Sequence, residues 1–541
     1  MIKNKKQNFL QGAAILAVTV ALVKVMGAIY KIPLGNILGD EGYAHFSVAY
    51  NIYNLLLSIS TAGLPVALSR MIASANAEGR PVQVKRTFQV ARLAFFVLGL
   101  TASVIMMLFP KQLAGAMDDI EAAASISALA PSVVLVCLMS AFRGYTQGLS
   151  NMIPTSVSQI IEVLCKLVFG LVLAWWLLSS GMGLPYASAG AIAGVSIGSF
   201  FALVYIMIYK YRMDKERAPA ALIRDTPLSR KATLMNLVKI AVPVAIGSSI
   251  LSILTLIDTK LILNRLQEAA GFSYEQAKVY YGVYSKVQTI FNLPSAFIVP
   301  VTISVIPAIS ALVAIKNHME AKRVTEASLK LTSLLALPAG VGLAVLSYPI
   351  VNVLYPGSHS DGPVLLAILG VASFFVCLTL ITIAILQAYG YERFPVYTMA
   401  VGGIIKIAIT WVLTSDPNIG VRGAALGTLI CYLVISLINI INIYLVIPER
   451  PALSKIFVKP IIATCVMGLS AYLSYYALQR LFAGIGILPD GRLPMLTAMS
   501  LSILTAIVIY LIMIVILKAI TKEDLTFIPK GDKIAKFLRL K

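Results

Sequence analysis

The chain has 541 residues, of which 59% are hydrophobic and only 12% are charged, and its mean hydropathy is +0.88. Apolar segments of helix length recur about fourteen times, which is more apolar surface than a water-soluble domain can bury. Because the apolar runs are continuous rather than alternating, a membrane β-barrel is excluded. The sequence therefore predicts an all-α polytopic membrane protein.

About fourteen transmembrane helices are predicted, each long enough to supply the ~20 apolar residues that cross ~30 Å of hydrocarbon. The first seven cover residues 9–30, 44–74, 88–109, 122–145, 155–180, 186–210 and 237–263. The second seven cover residues 279–313, 328–354, 362–389, 394–414, 419–447, 455–484 and 495–520. An even number of spans places the two termini on the same side of the membrane.

The net charge of +21 is unevenly distributed along the chain. Basic residues concentrate at the N-terminus, in the segments near residues 80–86, 210–231 and 316–323, and in the C-terminal tail from Lys518. If the spans alternate in direction, all of these lie on one side, and acidic residues such as Asp40, Glu41 and Asp118 lie on the other. By the positive-inside rule we expect a bacterial plasma-membrane protein with both termini cytoplasmic. The basic excess then reflects topology and contact with anionic membrane lipids, and no nucleic-acid partner is expected.

Soluble-enzyme motifs are missing from the sequence, which contains no Walker, GxSxG or HExxH pattern. The five cysteines lie inside apolar runs, as small packing residues do. The three histidines lie in or beside predicted loops without ligand spacing, so no metal site is predicted. We expect a secondary-type transporter rather than an enzyme, without a cofactor and driven by a H⁺ or Na⁺ gradient or by the membrane potential.

An internal repeat organises the chain into two lobes of six helices. Tyr50-Asn-Ile-Tyr53 resembles Tyr281-Gly-Val-Tyr284, and Gly190-Ala-Ile-Ala-Gly194 resembles Gly423-Ala-Ala-Leu-Gly427. The glycine pairs also fit close helix packing. We predict an N-terminal lobe over residues 1–210, a basic cytoplasmic linker over 211–236, a C-terminal lobe over 237–447, and two further spans with a basic tail over 448–541. A parallel repeat of this kind places a substrate site between its lobes.

Charged residues inside the predicted spans are the strongest functional signal, because each costs roughly 2.5–3.5 kcal/mol to insert. Lys24 and Lys31 are seven residues apart and share one helical face of the first span. Lys286 lies on a polar face of the eighth span together with Gln288 and Asn292. This pattern favours the wall of a cavity over contact with lipid.

Further charged residues suggest ion pairs or coupling sites. Glu162 and Lys166 have the i,i+4 spacing and orientation of a helical ion pair. Asp258 either pairs with Lys260 or binds a coupling H⁺ or Na⁺. Lys406 occupies the position in the second lobe that matches Lys166.

The embedded lysines outnumber the embedded carboxylates, which favours an anionic substrate over a cationic one. Lysine ammonium groups bind phosphate as point charges, so a phosphate or diphosphate is the expected ligand. The polar residues Asn51 and Asn54 of the second span, with Gln288 and Asn292 of the eighth, are expected to hydrogen-bond the remainder of the head group.

The chain resembles the stage V sporulation protein B-like branch of the multidrug/oligosaccharidyl-lipid/polysaccharide exporter superfamily, which also contains the MurJ-like lipid II flippases. The likeness is carried by Lys24-Val-Met-Gly27, Leu38-Gly-Asp-Glu-Gly42, Gly63-Leu-Pro-Val-Ala-Leu-Ser-Arg70, Arg143-Gly-Tyr-Thr-Gln-Gly148, Asn151-Met-Ile-Pro-Thr155 and Ser158-Gln-Ile-Ile-Glu162. It extends over nearly the whole chain and is looser in the second lobe.

The resemblance implies two six-helix lobes with two extra helices, and alternating access by which a basic cavity receives a pyrophosphate-sugar head group. It implies that the two extra helices shape a groove for the lipid tail. Lys24, Lys166 and Lys286 match basic positions of the family, whereas Tyr30-Lys31 stands where lipid II flippases carry Arg-Asp. It further implies a monomer in contact with cell-wall synthesis enzymes, in peptidoglycan biosynthesis and cell shape.

Lipid II, the undecaprenyl-pyrophosphate-linked peptidoglycan precursor, is the substrate that this resemblance favours. A flippase for another undecaprenyl-linked polysaccharide unit shares every feature given above. A multidrug or cation antiporter would favour embedded carboxylates and twelve spans, and a scaffold for cell-wall enzymes would tolerate mutation of the lysines.

Overall fold

The computed structural model describes residues 9–58, 64–216, 225–485, 488 and 491–519. Seventeen α-helices occupy these residues, and no strand occurs among them. Their bounds are α1 Phe9–Ser58, α2 Leu64–Ala77, α3 Pro81–Leu108, α4 Pro110–Gly115, α5 Ala123–Gly148, α6 Ile153–Ser179, α7 Leu184–Glu216, α8 Arg230–Asn264, α9 Tyr274–Phe291, α10 Leu293–Ala314, α11 His318–Val345, α12 Ser347–Leu354, α13 Gly362–Ala388, α14 Arg393–Leu413, α15 Arg422–Val446, α16 Leu453–Gly484 and α17 Arg492–Ile516. A short 3₁₀ turn, Ile120–Ala122, precedes α5.

The predicted all-helical membrane fold is confirmed. Within the described residues, twelve helices are long and apolar enough to cross a membrane, and the predicted count of about fourteen is close to this number. Each of the predicted spans falls on one or more of the helices. The difference in count arises at α1, which covers parts of two predicted spans, and at α8, which is not among the twelve.

Helix α1 joins the first predicted span to most of the second. It runs through 50 residues and bends at Gly39, whose φ of 67° and ψ of −169° are not helical. Two helical halves therefore meet at Gly39, and Asp40 and Glu41, which the sequence places between the first two spans, directly follow this break. The rest of the predicted second span falls on α2 from Leu64, and residues 59–63 between the two helices lie outside the described residues.

The predicted eighth span is also two helices. Helix α9 ends at Phe291 and α10 begins at Leu293, with Asn292 as its N-cap. Pro294 follows at the start of α10, where a missing backbone N–H leaves no helical hydrogen bond unmade. The polar face of α9 is thus separated from the strongly apolar α10.

The predicted linker is partly helical. Helix α7 continues to Glu216 and α8 begins at Arg230, and residues 217–224 lie outside the described residues. Asp225 caps the start of α3, where its carboxylate accepts a hydrogen bond from the backbone N–H of Gln83 at 2.7 Å and pairs with Arg80 at 3.3 Å.

Contacts divide the chain into two compact units, Met1–Lys286 and Val287–Lys541. In the first unit, α6 and α7 pack so closely that a Cβ on Gly194 would lie 2.4 Å from the Cα of Gly170. In the second unit, a Cβ on Gly427 would lie 2.6 Å from Thr410 Oγ1 between α14 and α15. The repeated glycine pairs thus serve close helix packing at matching places in each unit. The division into two six-helix lobes stays a prediction.

Candidate functional site

A basic and aromatic cluster forms where α6 meets both halves of the bent α1. The Nζ of Lys31 lies 4.7 Å from the centre of the Tyr50 ring. Lys166 of α6 lies 5.3 Å from the same ring and 5.1 Å from the Tyr30 ring, and its Nζ donates to the Tyr50 hydroxyl at 3.4 Å. The bend at Gly39 allows Lys31 and Tyr50, which are 19 residues apart on one helix, to meet. We call Tyr30, Lys31, Tyr50 and Lys166 the lysine–tyrosine cluster.

In the part of the chain that the structure describes, neither lysine of the cluster has a carboxylate partner. Among the ion pairs of the described residues, none within 4.0 Å involves Lys31 or Lys166. Lys166 is nonetheless only 8% exposed, and Lys31 is half-buried. Two cations held against one phenol ring, without a neutralising carboxylate in contact, form a site suited to an anion.

The predicted ion pair between Glu162 and Lys166 is replaced by a different pairing. The Glu162 carboxylate accepts from Arg143 at 3.0 Å, and Arg143 also donates to Ser158 at 2.9 Å. A planar guanidinium carries several N–H groups, so Arg143 serves both acceptors at once. The pairing neutralises Glu162 and leaves Lys166 for another ligand.

The predicted polar residues of α1 join a hydrogen-bond network with α8 and α9. The Asn51 amide donates to Thr259 Oγ1 and to the Tyr281 hydroxyl, both at 3.1 Å. The backbone carbonyl of Asn54 accepts from Ser252 at 3.4 Å. In the present structure, Asn51 is therefore a link between helices.

Asp258 and Lys260 of α8 do not lie together. Asp258 is 6% exposed, and the Tyr284 hydroxyl lies 3.5 Å from its carboxylate. Lys260, two residues later on the same helix, is exposed. The two side chains thus lie on different sides of α8. The role of Asp258 in binding a coupling ion stays a prediction.

Lys286 is neutralised at the bend of α1. Its Nζ donates to the Asp40 carboxylate at 2.6 Å, and both side chains are largely buried. One turn earlier on α9, Gly282 lies against the backbone of Asp40 so closely that a Cβ there would fall 1.8 Å from the Asp40 carbonyl oxygen. Lys24 is exposed on α1, before the bend.

The remaining predicted site residues belong to the second unit. Asn292 donates to the backbone carbonyl of Gln288 at 2.7 Å. Lys406 is half-buried on α14. The structure therefore brings Lys31 and Lys166 together and links Lys286 to α1.

Sequence reasoning did not assign Tyr30, Tyr50, Arg143 or Asp40 to the site. Tyr50 carried a signal, since it begins the repeated Tyr-x-x-Tyr segment, and Arg143 lies in one of the recognised motifs. The ion pair of Asp40 with a lysine 246 residues away had no sequence signal.

The second unit contains an apolar groove of about 460 Å³ between α10, α11, α16 and α17. Its walls are almost wholly aliphatic and aromatic, with the Tyr510 hydroxyl as a polar group that donates to the backbone of Leu334 at 2.7 Å. Lining residues include Leu293, Phe297, Leu335, Ala339, Leu343, Ile507 and Leu511. Helices α16 and α17 are the two predicted spans that follow the repeat.

The sequence is similar to a known protein family and to three membrane proteins of one bacterium. The sequence profile of the polysaccharide biosynthesis protein family matches residues 9–313. The chain is 26% identical to the uncharacterized membrane protein YabM of Bacillus subtilis, over 98% of this chain and 96% of that protein. It is 24% identical to stage V sporulation protein B of the same organism, over 97% and 98% of the two chains. It is 26% identical to the lipid II flippase MurJ of that organism, over 78% and 80%.

Solved structures share the fold at low sequence identity. An inward closed conformation of the lipid II flippase MurJ aligns with a TM-score of 0.68 at 15% identity, over 92% of this chain and 97% of that chain. An inward-facing multidrug resistance transporter of the MATE family, from the MOP superfamily, aligns with a TM-score of 0.64 at 16% identity, over 79% and 96%. These likenesses show that the chain shares the fold of these transporters.

Proposed function

The chain belongs to the polysaccharide biosynthesis protein family, and on this premise we propose that it is a flippase for an undecaprenyl-pyrophosphate-linked glycan. Lipid II, the peptidoglycan precursor, is the substrate we favour, moved from the inner to the outer leaflet by alternating access. The observation that carries the proposal is the lysine–tyrosine cluster, in which two ammonium groups share one ring without a carboxylate in contact.

A diphosphate suits this cluster for electrostatic reasons. Hydrogen bonds between charged groups contribute roughly 1.5–3 kcal/mol each, and Lys31 and Lys166 can each supply one without first breaking an ion pair. A cationic substrate would instead meet two positive charges at close range. The multidrug and cation antiporter alternative is therefore disfavoured, although MATE-family transporters share the fold.

We expect Lys24 and Lys286 to contact the head group after Lys31 and Lys166 have bound it. Lys24 is exposed on the same helix as Lys31. Lys286 is held by Asp40, so it binds a phosphate only by exchanging one anion for another. Such an exchange would free Asp40 and α9 from each other at the bend of α1. This is the step by which we expect binding of the head group to change the conformation.

The apolar groove of the second unit suits the undecaprenyl chain. Each CH₂ group moved from water into such a surface gains ~0.8 kcal/mol, but a lipid tail in the bilayer is already out of water. The groove therefore contributes shape and orientation rather than affinity. A volume of about 460 Å³ accommodates a few isoprene units, with the rest of the chain in lipid.

A flippase for another undecaprenyl-linked polysaccharide unit is the second candidate. It is favoured by the departure at Tyr30-Lys31, because the Tyr30 hydroxyl is occupied in donating to the backbone of Ala191 at 3.0 Å. Both candidates use the same diphosphate contacts and differ only in the glycan. The basic distribution along the chain supports both termini being cytoplasmic in either case.

Binding of lipid-linked diphosphates to the purified protein tests the assignment of the head group. We expect undecaprenyl diphosphate and lipid II to bind the wild type in detergent and to bind Lys31→Ala and Lys166→Ala at least about tenfold more weakly. Lys111→Ala, a matched loss of one exposed lysine on α4, is the control. Equal affinity of all four proteins would contradict the proposed site.

A further inference from the structure

A second polar cluster lies just beyond the bend of α1 and takes no part in the proposed transport site. Helix α1 contributes Glu41 and His45, and the segment before α5 contributes Asp119 and Glu121. Lys278, near the start of α9, completes it. His45 was predicted in or beside a loop, but it is a helical residue with no exposed surface. A fully buried histidine among three carboxylates requires an explanation.

His45 is oriented by Asp119. Its Nδ1 lies 2.8 Å from both oxygens of the Asp119 carboxylate, and Asp119 also accepts from the Tyr274 hydroxyl at 3.1 Å. In a neutral imidazole this contact places the proton on Nδ1 and leaves a lone pair on Nε2. The tautomer is inferred from these contacts.

The other ring nitrogen of His45 is directed into the cluster without a hydrogen bond. Nε2 is buried and lacks a hydrogen-bond partner, although a Glu121 oxygen lies 3.2 Å away in a direction unsuited to one. A carboxylate that holds Nδ1 while Nε2 is free to bind is the arrangement found behind metal-bound histidines. The ring is thus prepared as a ligand.

Glu41 and Glu121 supply oxygen ligands on the same side of the ring. One ligand atom each from Glu41, His45 and Glu121 lie within 4.8 Å of one another. Bond lengths of about 2.0–2.2 Å to Zn²⁺ bring such atoms within reach of one ion after small side-chain rotations. Two carboxylates and one imidazole, with a position open for water, form an ordinary ligand set for this metal.

Lys278 shows that the two glutamates hold a cation. Its Nζ lies 2.6 Å from Glu41 Oε1 and 2.6 Å from Glu121 Oε2, and 4.4 Å from the centre of the Tyr274 ring. The ammonium therefore occupies the position between the carboxylates that a metal ion would take.

We propose that Glu41, His45 and Glu121 form a binding site for a divalent transition metal ion of the Zn²⁺ type, with Asp119 orienting His45 and with Lys278 competing for the same carboxylates. Metal binding joins α1 to the segment before α5 and displaces Lys278, so α9 loses its ionic contact with Glu41 of α1. The ion pair between Lys286 and Asp40 does not involve these carboxylates. The sequence predicts no metal site, because these residues are brought together only by the fold.

Zn²⁺ binding to the full-length protein tests the site independently of transport. We would purify the chain with a tag that contains no histidine, remove metals with a chelator, and measure bound Zn²⁺ by equilibrium dialysis and elemental analysis. The expected result is one Zn²⁺ per chain for the wild type and weaker binding by about 10–100-fold in Asp119→Asn, because that substitution removes the orienting carboxylate. Glu78→Gln, at an exposed carboxylate that bonds Ser74, is the matched control.

Two further variants make the outcome decisive. His45→Gln should lose the site, and Lys278→Gln should bind Zn²⁺ more tightly than the wild type, because the competing ammonium is gone. X-ray absorption of the Zn²⁺-loaded Lys278→Gln protein should show one imidazole nitrogen among oxygen ligands. Unchanged or weaker Zn²⁺ binding in Lys278→Gln would overturn the proposal, even if His45→Gln fails to fold.

Discussion

Replacing Gly282 by alanine should separate α9 from the bend of α1. Lys278, Gly282 and Lys286 follow at intervals of four residues and lie on one face of α9. A Cβ at position 282 would fall 1.8 Å from the Asp40 carbonyl oxygen, whereas ordinary contacts begin at 3.4 Å. The obstacle is backbone, which cannot rotate away, so the helices must move apart by about 1.6 Å.

The displacement is large enough to break an ion pair. Added to the present 2.6 Å between Lys286 Nζ and Asp40 Oδ1, it gives about 4.2 Å, beyond the reach of an ion pair. Overpacking costs ~1–3 kcal/mol, and a buried charge left without its partner costs ~3–5 kcal/mol. Because the lysine side chain can follow part of the movement, we expect a net loss of about 3 kcal/mol.

Unfolding of the purified protein in mixed micelles by sodium dodecyl sulfate measures this loss. The control is Gly115→Ala, at a helix end where no atom lies within 4 Å of the added Cβ. It should leave the free energy of unfolding within about 0.5 kcal/mol of the wild type. If Gly282→Ala proved as stable as Gly115→Ala, the contact between α9 and the bend of α1 would be wrong.

Three further predictions concern the site, a loop and the groove. The double variant Lys31→Ala/Lys166→Ala loses both ammonium groups, so it should bind undecaprenyl diphosphate more weakly than either single variant in a titration. If the binding free energies lost in the two single variants add up to the loss in the double variant, the two lysines make separate contacts. Burial raises the pKa of the Asp118 carboxyl above its usual value, so its charge costs stability at neutral pH, and this cost disappears as the pH falls below about 4. Asp118→Asn should therefore raise Tm at pH 7 but not at about pH 4; a gain that persists at the lower pH would contradict this reasoning. Ala339→Trp should fill the groove and reduce transport of long-chain substrates while diphosphate binding persists; equal loss of both would contradict the separation of tail and head-group sites.

Much of the fold was predictable because a span in a bilayer must be long and apolar. The predicted helix bounds were wrong where a helix is not required to be long and apolar. The predicted eighth span, for example, is two helices that meet at Asn292. Asp40 and Glu41, by contrast, directly follow the break between the two halves of α1 at Gly39, and they pair with Lys286 and Lys278. Gly39 forms the bend between the two halves of α1, because glycine adopts a positive φ without steric cost.

The site was predictable in its residue types but not in its partners. Lysines inside apolar segments stand out in sequence, and Lys31 and Lys166 were found in this way. Their shared partner, Tyr50, lies 116 residues from Lys166, and no local spacing indicates such a contact. The pair expected from i,i+4 spacing at Glu162 was wrong in its partner, because Arg143 of another helix provides a better hydrogen-bond donor.

Exposure of lipid II in living cells tests the central claim most directly. The protein would be expressed in a bacterium depleted of its own lipid II flippase, and an external enzyme would cleave only outward-facing lipid II. We predict that cleavage persists with the wild type and with Lys111→Ala, and is lost with Lys31→Ala, Lys166→Ala and Lys286→Ala at normal protein levels. Absence of cleavage with wild-type protein in the membrane would contradict lipid II as the substrate, and cleavage that persists in all three variants would contradict the lysine site.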